Sequence, residues 1–305
     1  VKVLVTGGAG YKGVVLCAEL LKKGHTVTLL DNFMYGYEPV LHLVTDPNLQ
    51  VVQLDIRNLS EKSVSGYDVV FHLAGLSGMP ACASNPHAAE MVNVESTRKL
   101  TSLLHKGQLL VFASTTTLYG AGGEGCDETT SVLLPSLYAK TKYGAETLVL
   151  ERENSVAFRF ATVFGVSPKM RTDLLVNDFV YKALVDRSIV IFAGASKRAC
   201  IHIQDAVAAY LFALDHIDSV VGGIFNVGDE SLNLSKTEIA LAICNQVQFE
   251  IVDSSLSDLD VRDFSVSFKK IRSLGYKVKF SLDEGISELL KLYSFYRNYL
   301  PFRVI

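Results

Sequence analysis

Tryptophan is absent from the 305 residues, proline occurs only 7 times and cysteine only 5 times. So little proline excludes a Pro-rich, low-complexity chain. The cysteines stand at 17, 82, 126, 200 and 244, an odd count with no close pair. That spacing argues against a disulfide framework or a thiolate metal cage, so no metal is expected and a reducing cytoplasm fits best. No uninterrupted apolar run approaches the ~18 residues that span a bilayer. The chain enters the apolar run Val1 to Val5 directly, without the basic start of a secretory signal. Neither sign of charge dominates: 29 Lys and Arg stand against 32 Asp and Glu, a net −3. This balance argues against a nucleic-acid wrap or a polybasic membrane anchor as the main business.

What is present is a folding composition, 49% hydrophobic and 20% charged, which excludes disorder as a description of the whole. Short β-branched runs recur at Val1–Val5, Thr26–Leu30, Gln50–Leu54, Val69–Leu73, Leu109–Ala113, Val156–Phe160 and Ile224–Val227. Between several of them lie helix-length stretches with apolar residues at 3.6-type spacing, such as Val14, Val15, Ala18 and Leu21. Strand and helix in alternation predict an α/β fold, a Rossmann-type doubly wound parallel sheet covered on both faces. The rhythm changes after Gly165. Residues 166 to 175 read as irregular, 178 to 185 and 236 to 247 as helices, and 286 to 300 as a terminal helix packed on its own domain. The expected division is a dinucleotide-binding domain of 1–165 plus about 196–228, and a smaller discontinuous domain of about 166–195 plus 229–305.

Thr6-Gly7-Gly8-Ala9-Gly10-Tyr11-Lys12-Gly13 follows the first strand and opens the first helix. Gly7 fits a tight turn, Gly10 the approach of a pyrophosphate to backbone, and Gly13 close packing of helix on sheet. The helix N-terminus adds free N–H groups and a favourable dipole. Asp31 ends the second strand, where a carboxylate accepts both ribose hydroxyls and repels a 2′-phosphate, so NAD is expected over NADP. The bland reading of Asp31 is a turn acid beside Asn32. Asp55-Ile56 could border the adenine in the same way, or Asp55 could be a solvated loop acid. Lys12 stands where an apolar residue could pack the helix. It either contacts phosphate or snorkels to solvent.

Tyr138 and Lys142 lie four apart in a helical stretch and emerge on one face. An ammonium near a phenol lowers its pKa and makes tyrosine usable as a base. Ser114-Thr115-Thr116-Thr117-Leu118-Tyr119-Gly120 brings hydroxyls to the carboxyl edge of the sheet. His72 and His202 read as packed, hydrogen-bonded histidines, and Cys126 as incidental.

With these pieces in order, the chain resembles the extended short-chain dehydrogenase/reductase family, the NAD-dependent nucleotide-sugar epimerases, dehydratases and their relatives. The likeness runs on through His72-Leu73-Ala74-Gly75, Asn93, Arg159 to Gly165, Arg198 with Ile201 to Asp205, and Asn226-Val227-Gly228. It implies Thr115, Tyr138 and Lys142 as catalytic. Tyr138 would take a sugar hydroxyl proton as hydride leaves for the nicotinamide, Thr115 would bond the same oxygen, and Lys142 would hold the ribose. It places Gly7, Gly10, Tyr11, Lys12, Gly13, Asp31, Asn32, Asp55, Ile56, Leu73, Ala74, Gly75, Ser77, Asn93 and Ala161 on the cofactor. Thr116, Thr162, Asn177, Arg198 and Arg262 are placed on a nucleotide-sugar substrate, the arginines as pyrophosphate clamps. Arg262, between Val261 and Asp263, has a surface ion pair as its plain alternative.

Two departures narrow the reaction. Thr116 and Thr117 stand where water-eliminating members carry an acidic pair, which argues against a 4,6-dehydratase and weakens a decarboxylase reading. Thr162 and Phe164 replace an Asn and a Tyr, and the run 167–179 resembles a subgroup that includes a heptose-nucleotide dehydrogenase. The resemblance therefore implies an epimerase working through a transient 4-keto sugar, or a C4 dehydrogenase that releases the keto sugar. A non-catalytic NAD sensor or scaffold is the rival of a different class. It also implies a homodimer paired through helices around 88–104 and 138–152.

Overall fold

The computed structural model describes residues 1–254 and 262–297. Seven parallel strands form the main sheet, in the spatial order Leu49–Gln53, Thr26–Asp31, Lys2–Thr6, Val69–His72, Leu109–Thr115, Ser155–Phe160 and Ile224–Val227. The order reverses beside the first strand, which pairs with Thr26–Asp31 on one side and Val69–His72 on the other. That reversal leaves a crevice at the carboxyl ends of the strands, the place where ligands bind in open α/β sheets. The four central strands read as near-continuous apolar runs because helices bury both faces. Leu4, Val70, Leu110 and Ala157 look toward one layer, and Val3, Val5, Phe71, Val111 and Phe158 toward the other. This is the doubly wound architecture expected from the alternating pattern.

Beyond Gly165 a second core forms. Helix Leu175–Val185 packs with Lys236–Cys244 and Leu282–Tyr293 around Val176, Phe179, Ile239, Ile286 and Leu289. The terminal helix ends at Tyr293, earlier than the apolar spacing predicts; Leu300 lies outside the described residues, as do Asp260 and Val261. Its start is fixed by a capping box, in which Ser281 accepts from the Glu284 N–H and Glu284 accepts in return from the Ser281 N–H. Helix Ile203–Asp215 then leads the chain back to the main sheet at Ile224–Val227.

His72 is buried between two hydroxyls, with Nδ1 2.8 Å from Thr6 Oγ1 and Nε2 2.9 Å from Thr97 Oγ1. Burial, with the nearby charge of Lys142, lowers its pKa to about 3, so it is a neutral packed group. His202 is likewise buried, stacked on Phe280 with Nε2 3.1 Å from Glu288.

An ion pair lies beneath the sheet edge. Arg159 Nη2 donates to Glu146 Oε1 at 2.6 Å, and Ser114 donates to Glu146 Oε2 at 2.5 Å. Arg159 also donates to Tyr119 Oη at 3.1 Å, and Tyr119 donates in turn to Asn226 Oδ1 at 2.8 Å. The two charged side chains are 4% and 1% exposed, so removing either strands the other without solvent. Glu146→Ala should therefore cost about 3–5 kcal/mol of stability, read as a lowered denaturation midpoint at unchanged slope in urea. A loss below about 1 kcal/mol would show that Arg159 finds water.

Candidate active site

The crevice at the strand-order reversal opens into a cavity of about 1000 Å³. Its floor is the glycine loop, with Gly7, Gly10, Tyr11, Lys12 and Gly13 in the wall. Gly7 adopts φ +71°, and a Cβ there would stand 2.6 Å from the backbone nitrogen of Ala74. The loop can thus lie this close to the end of the Val69–His72 strand only without a side chain. No side chain caps the following helix, Gly13–Lys22; the Val14 N–H is taken by Gly10 O at 3.1 Å, and the loop that precedes the helix faces the cavity. Asp31 ends the second strand with one oxygen accepting from Ala9 N at 3.0 Å and the other from Phe33 N at 2.9 Å. A carboxylate has about four acceptor sites, which leaves room for ribose hydroxyls. This glycine cradle, uncapped helix start and acid fit a dinucleotide.

Leu73, Gly75, Ser77, Ala161 and Thr162 also line the cavity. Other expected cofactor residues hold the wall from behind. Ala74 faces Thr6, donating its N–H at 3.4 Å. Asn93 is buried, accepts from Leu76 N at 2.8 Å, and donates to Leu76 O and Thr141 Oγ1, each at 3.0 Å. Its amide fixes the 73–77 loop, whose Leu73, Gly75 and Ser77 line the cavity. Asp55 is clasped by Arg57 through Nε and Nη2, each at 2.8 Å, and receives Asn32 Nδ2 at 3.4 Å. Hydrogen bonding from Arg57 holds its carboxyl down at about 2. Ile56 is buried in the core below. Asn32, Asp55 and Ile56 are not among the residues of the cavity wall.

The expected catalytic groups meet at the carboxyl ends of Leu109–Thr115 and Ser155–Phe160, where Thr115 pairs in register with Phe160. Ser136 caps the next helix, Leu137–Leu150, by accepting from Ala139 N at 3.2 Å, and this sets Tyr138 in its first turn. Burial raises the Tyr138 pKa, while hydrogen bonding from Ser77, the charge of Arg171 and hydrogen bonding from Thr115 oppose it. The cation acting on the phenol is thus Arg171, and no sequence signal marked it. Arg171 lies in the irregular segment after Gly165, held by Asp173 through Nε at 3.0 Å and Nη2 at 2.5 Å. Lys142 sits one turn below Tyr138, with Nζ 4.1 Å from the centroid of Phe112. Burial lowers it to about 7 against the supporting charge of Glu146.

Substrate expectations separate in the same way. Arg198 and Arg262 both reach the cavity, and Arg198 Nη1 donates to the Arg262 carbonyl. Thr116 turns away and donates to Phe160 O at 3.2 Å, whereas Thr117 reaches the wall and takes Arg262 Nη1 at 3.3 Å. Residues 116–119 form a 3₁₀ turn, which swings successive side chains by a third of a circle, so the neighbour of the expected residue faces the site. Asn177 is fully buried, bonded to protein, and not among the residues of the cavity wall. It accepts from Gly165 N at 3.0 Å and donates to Arg171 O at 2.9 Å and to Tyr11 Oη at 3.2 Å. Tyr11 Oη donates to Gly165 O at 2.7 Å, and Ser167 Oγ donates to Tyr11 O at 2.8 Å.

Known proteins agree with this construction. Residues 3–228 match the family described as the NAD dependent epimerase/dehydratase family. A UDP-N-acetyl-alpha-D-glucosaminuronate decarboxylase of Bacillus cytotoxicus is 30% identical over 242 residues, 74% of this chain and 74% of that protein. A CDP-paratose 2-epimerase of Salmonella typhi is 26% identical, over 94% of this chain and 98% of its own. Among solved structures, Thermus thermophilus UDP-glucose 4-epimerase in complex with NAD superposes with a TM-score of 0.81 at 23% identity, covering 97% and 99% of the two chains. NAD is the cofactor, and the chain belongs to the NAD dependent epimerase/dehydratase family.

Proposed function

We propose that the protein is an NAD-dependent nucleotide-sugar epimerase that works through a transient 4-keto sugar. The observation that carries this reading is the convergence of Tyr138, Ser77 and Thr115 in one cavity with the glycine loop and two arginines. Arg198 and Arg262 would grip the substrate diphosphate, since guanidinium forks match phosphate oxygens. Thr115 would hold the sugar hydroxyl whose proton Tyr138 removes, and Tyr138 would return that proton when the opposite face has been reduced. Bound NAD supplies the acceptor and then the donor of two electrons and a hydrogen. Arg171 stabilises the phenolate, and Glu146, in the same helix, partly offsets the burial that lowers Lys142.

The close alternative is a dehydrogenase that releases the keto sugar, because base and geometry are shared. Loss of carbon dioxide from a 4-keto uronic acid is supported by the Bacillus cytotoxicus decarboxylase among the relatives. It is weakened by Thr116, which brings no acid and faces Phe160. The proposal includes a cytoplasmic homodimer paired through the helices near 88–104 and 138–152. The helix Leu137–Leu150 presents a half-exposed Tyr143 for such a contact.

Incubation with UDP-, GDP-, CDP- and dTDP-sugars, followed by product analysis, separates these outcomes. An inverted sugar with transient NADH is expected; a stable keto sugar or released carbon dioxide would overturn the epimerase reading. Tyr138→Phe should retain NAD and lose at least about 100-fold in turnover; undiminished turnover would remove Tyr138 as the base. The pH profile follows from the direction of the Tyr138 shift. A base whose pKa is raised is protonated at neutral pH, so turnover rises with pH along its basic limb. Arg171→Met removes an opposing charge, and the limb should move to higher pH. An unmoved limb with lower turnover would mean that Arg171 acts only on substrate.

A further inference from the structure

The glycine loop contains a cation that the proposed chemistry leaves unused. Lys12 directs its side chain into the cavity, and its Nζ rests 3.9 Å from the centroid of Phe160 and 5.8 Å from that of Tyr210. Phe160 lies opposite Thr115 in the register of the sheet, and Thr115, Tyr138, Phe160 and Lys12 all line the cavity, so this ammonium stands on the Tyr138 side of it. Among the described residues no carboxylate pairs with it. The charges that act on it are those of Lys142 and Arg171, which together with burial hold its ammonium down to about 7. An aromatic face is the remaining favourable contact, a weak partner for a desolvated ammonium.

We propose that Lys12 is a positioning charge for the redox state of the cofactor, favouring reduced over oxidised nicotinamide at this site. The oxidised ring carries a unit positive charge and the reduced ring none. A fixed cation in the same poorly screened cavity would therefore disfavour the oxidised form selectively. The inference rests on the reading that the reacting end of the cofactor lies beside Tyr138, but its test needs no sugar and no turnover. It would also give the lysine a use where an aliphatic residue would pack the helix at no desolvation cost.

The experiment titrates the bound nucleotide of the intact holoenzyme against redox dyes, at a pH about one unit below the Lys12 value so that the ammonium is charged. Wild-type protein should hold the reduced form more tightly than the oxidised form. Lys12→Met, which keeps the chain length and removes the charge, should lower the ratio of reduced to oxidised nucleotide at a fixed potential about tenfold, or about 30 mV for a two-electron couple. Lys12→Gln gives the same comparison if the methionine variant does not fold. An unchanged ratio with both forms bound more weakly would assign Lys12 to the phosphates and overturn the proposal. An unchanged ratio with unchanged binding, or a wild-type protein that favours neither form, would overturn it as well. A Tyr138→Phe protein that keeps full turnover would instead overturn the reading of the base, independently of this ratio.

Discussion

The site depends on Tyr11 as a fastening between two cores. Its phenol donates to Gly165 O and accepts from Asn177, while its carbonyl accepts from Ser167, so one residue of the glycine loop is bonded to three points in the segment beyond Gly165. These bonds are buried, and each would leave an unsatisfied polar atom if the segment moved away. The dinucleotide loop and the irregular segment that brings Arg171 therefore hold one relative position. The cavity is the space that this fastening leaves between the main sheet and the helices of the second core.

From that constraint the electrostatics follow. Lys12 and Arg171 line the cavity and Lys142 lies behind it; they act on one another or on Tyr138, and of the three only Arg171 has a carboxylate in direct contact among the described residues. Glu146 supports Lys142 at longer range, itself fixed by Arg159 and Ser114. A cavity with such a cation excess suits phosphates, a phenolate and an electron-rich reduced ring better than their neutral or cationic counterparts.

Much of this was legible in the amino-acid order. The glycine loop was readable because its requirement is a backbone one: at Gly7 only the absence of Cβ permits the contact with Ala74, and that constraint is visible as a letter. The strand runs were readable because burial on both faces demands continuous apolar residues. The hydrogen bonds of Asn93 and Asn177 were not legible because the partners of a buried amide depend on tertiary approach; Asn177 reaches Tyr11 across 166 positions. Thr116 and Thr117 differ only in their place on a 3₁₀ turn, which no periodicity resolves over four residues. Arg171 was hidden because it lies in an irregular segment, where no repeating pattern assigns a face.

The central claim is that a sugar carbon is oxidised in this cavity while Tyr138 holds the proton. The absence of tryptophan leaves NADH emission free of indole interference, so a single turnover can be followed directly. The decisive measurement is stopped-flow emission with a nucleotide-sugar substrate carrying hydrogen or deuterium at C4. The account predicts a transient NADH signal whose appearance is slowed by deuterium. A turnover with no NADH transient, or one indifferent to the label at C4, would contradict it.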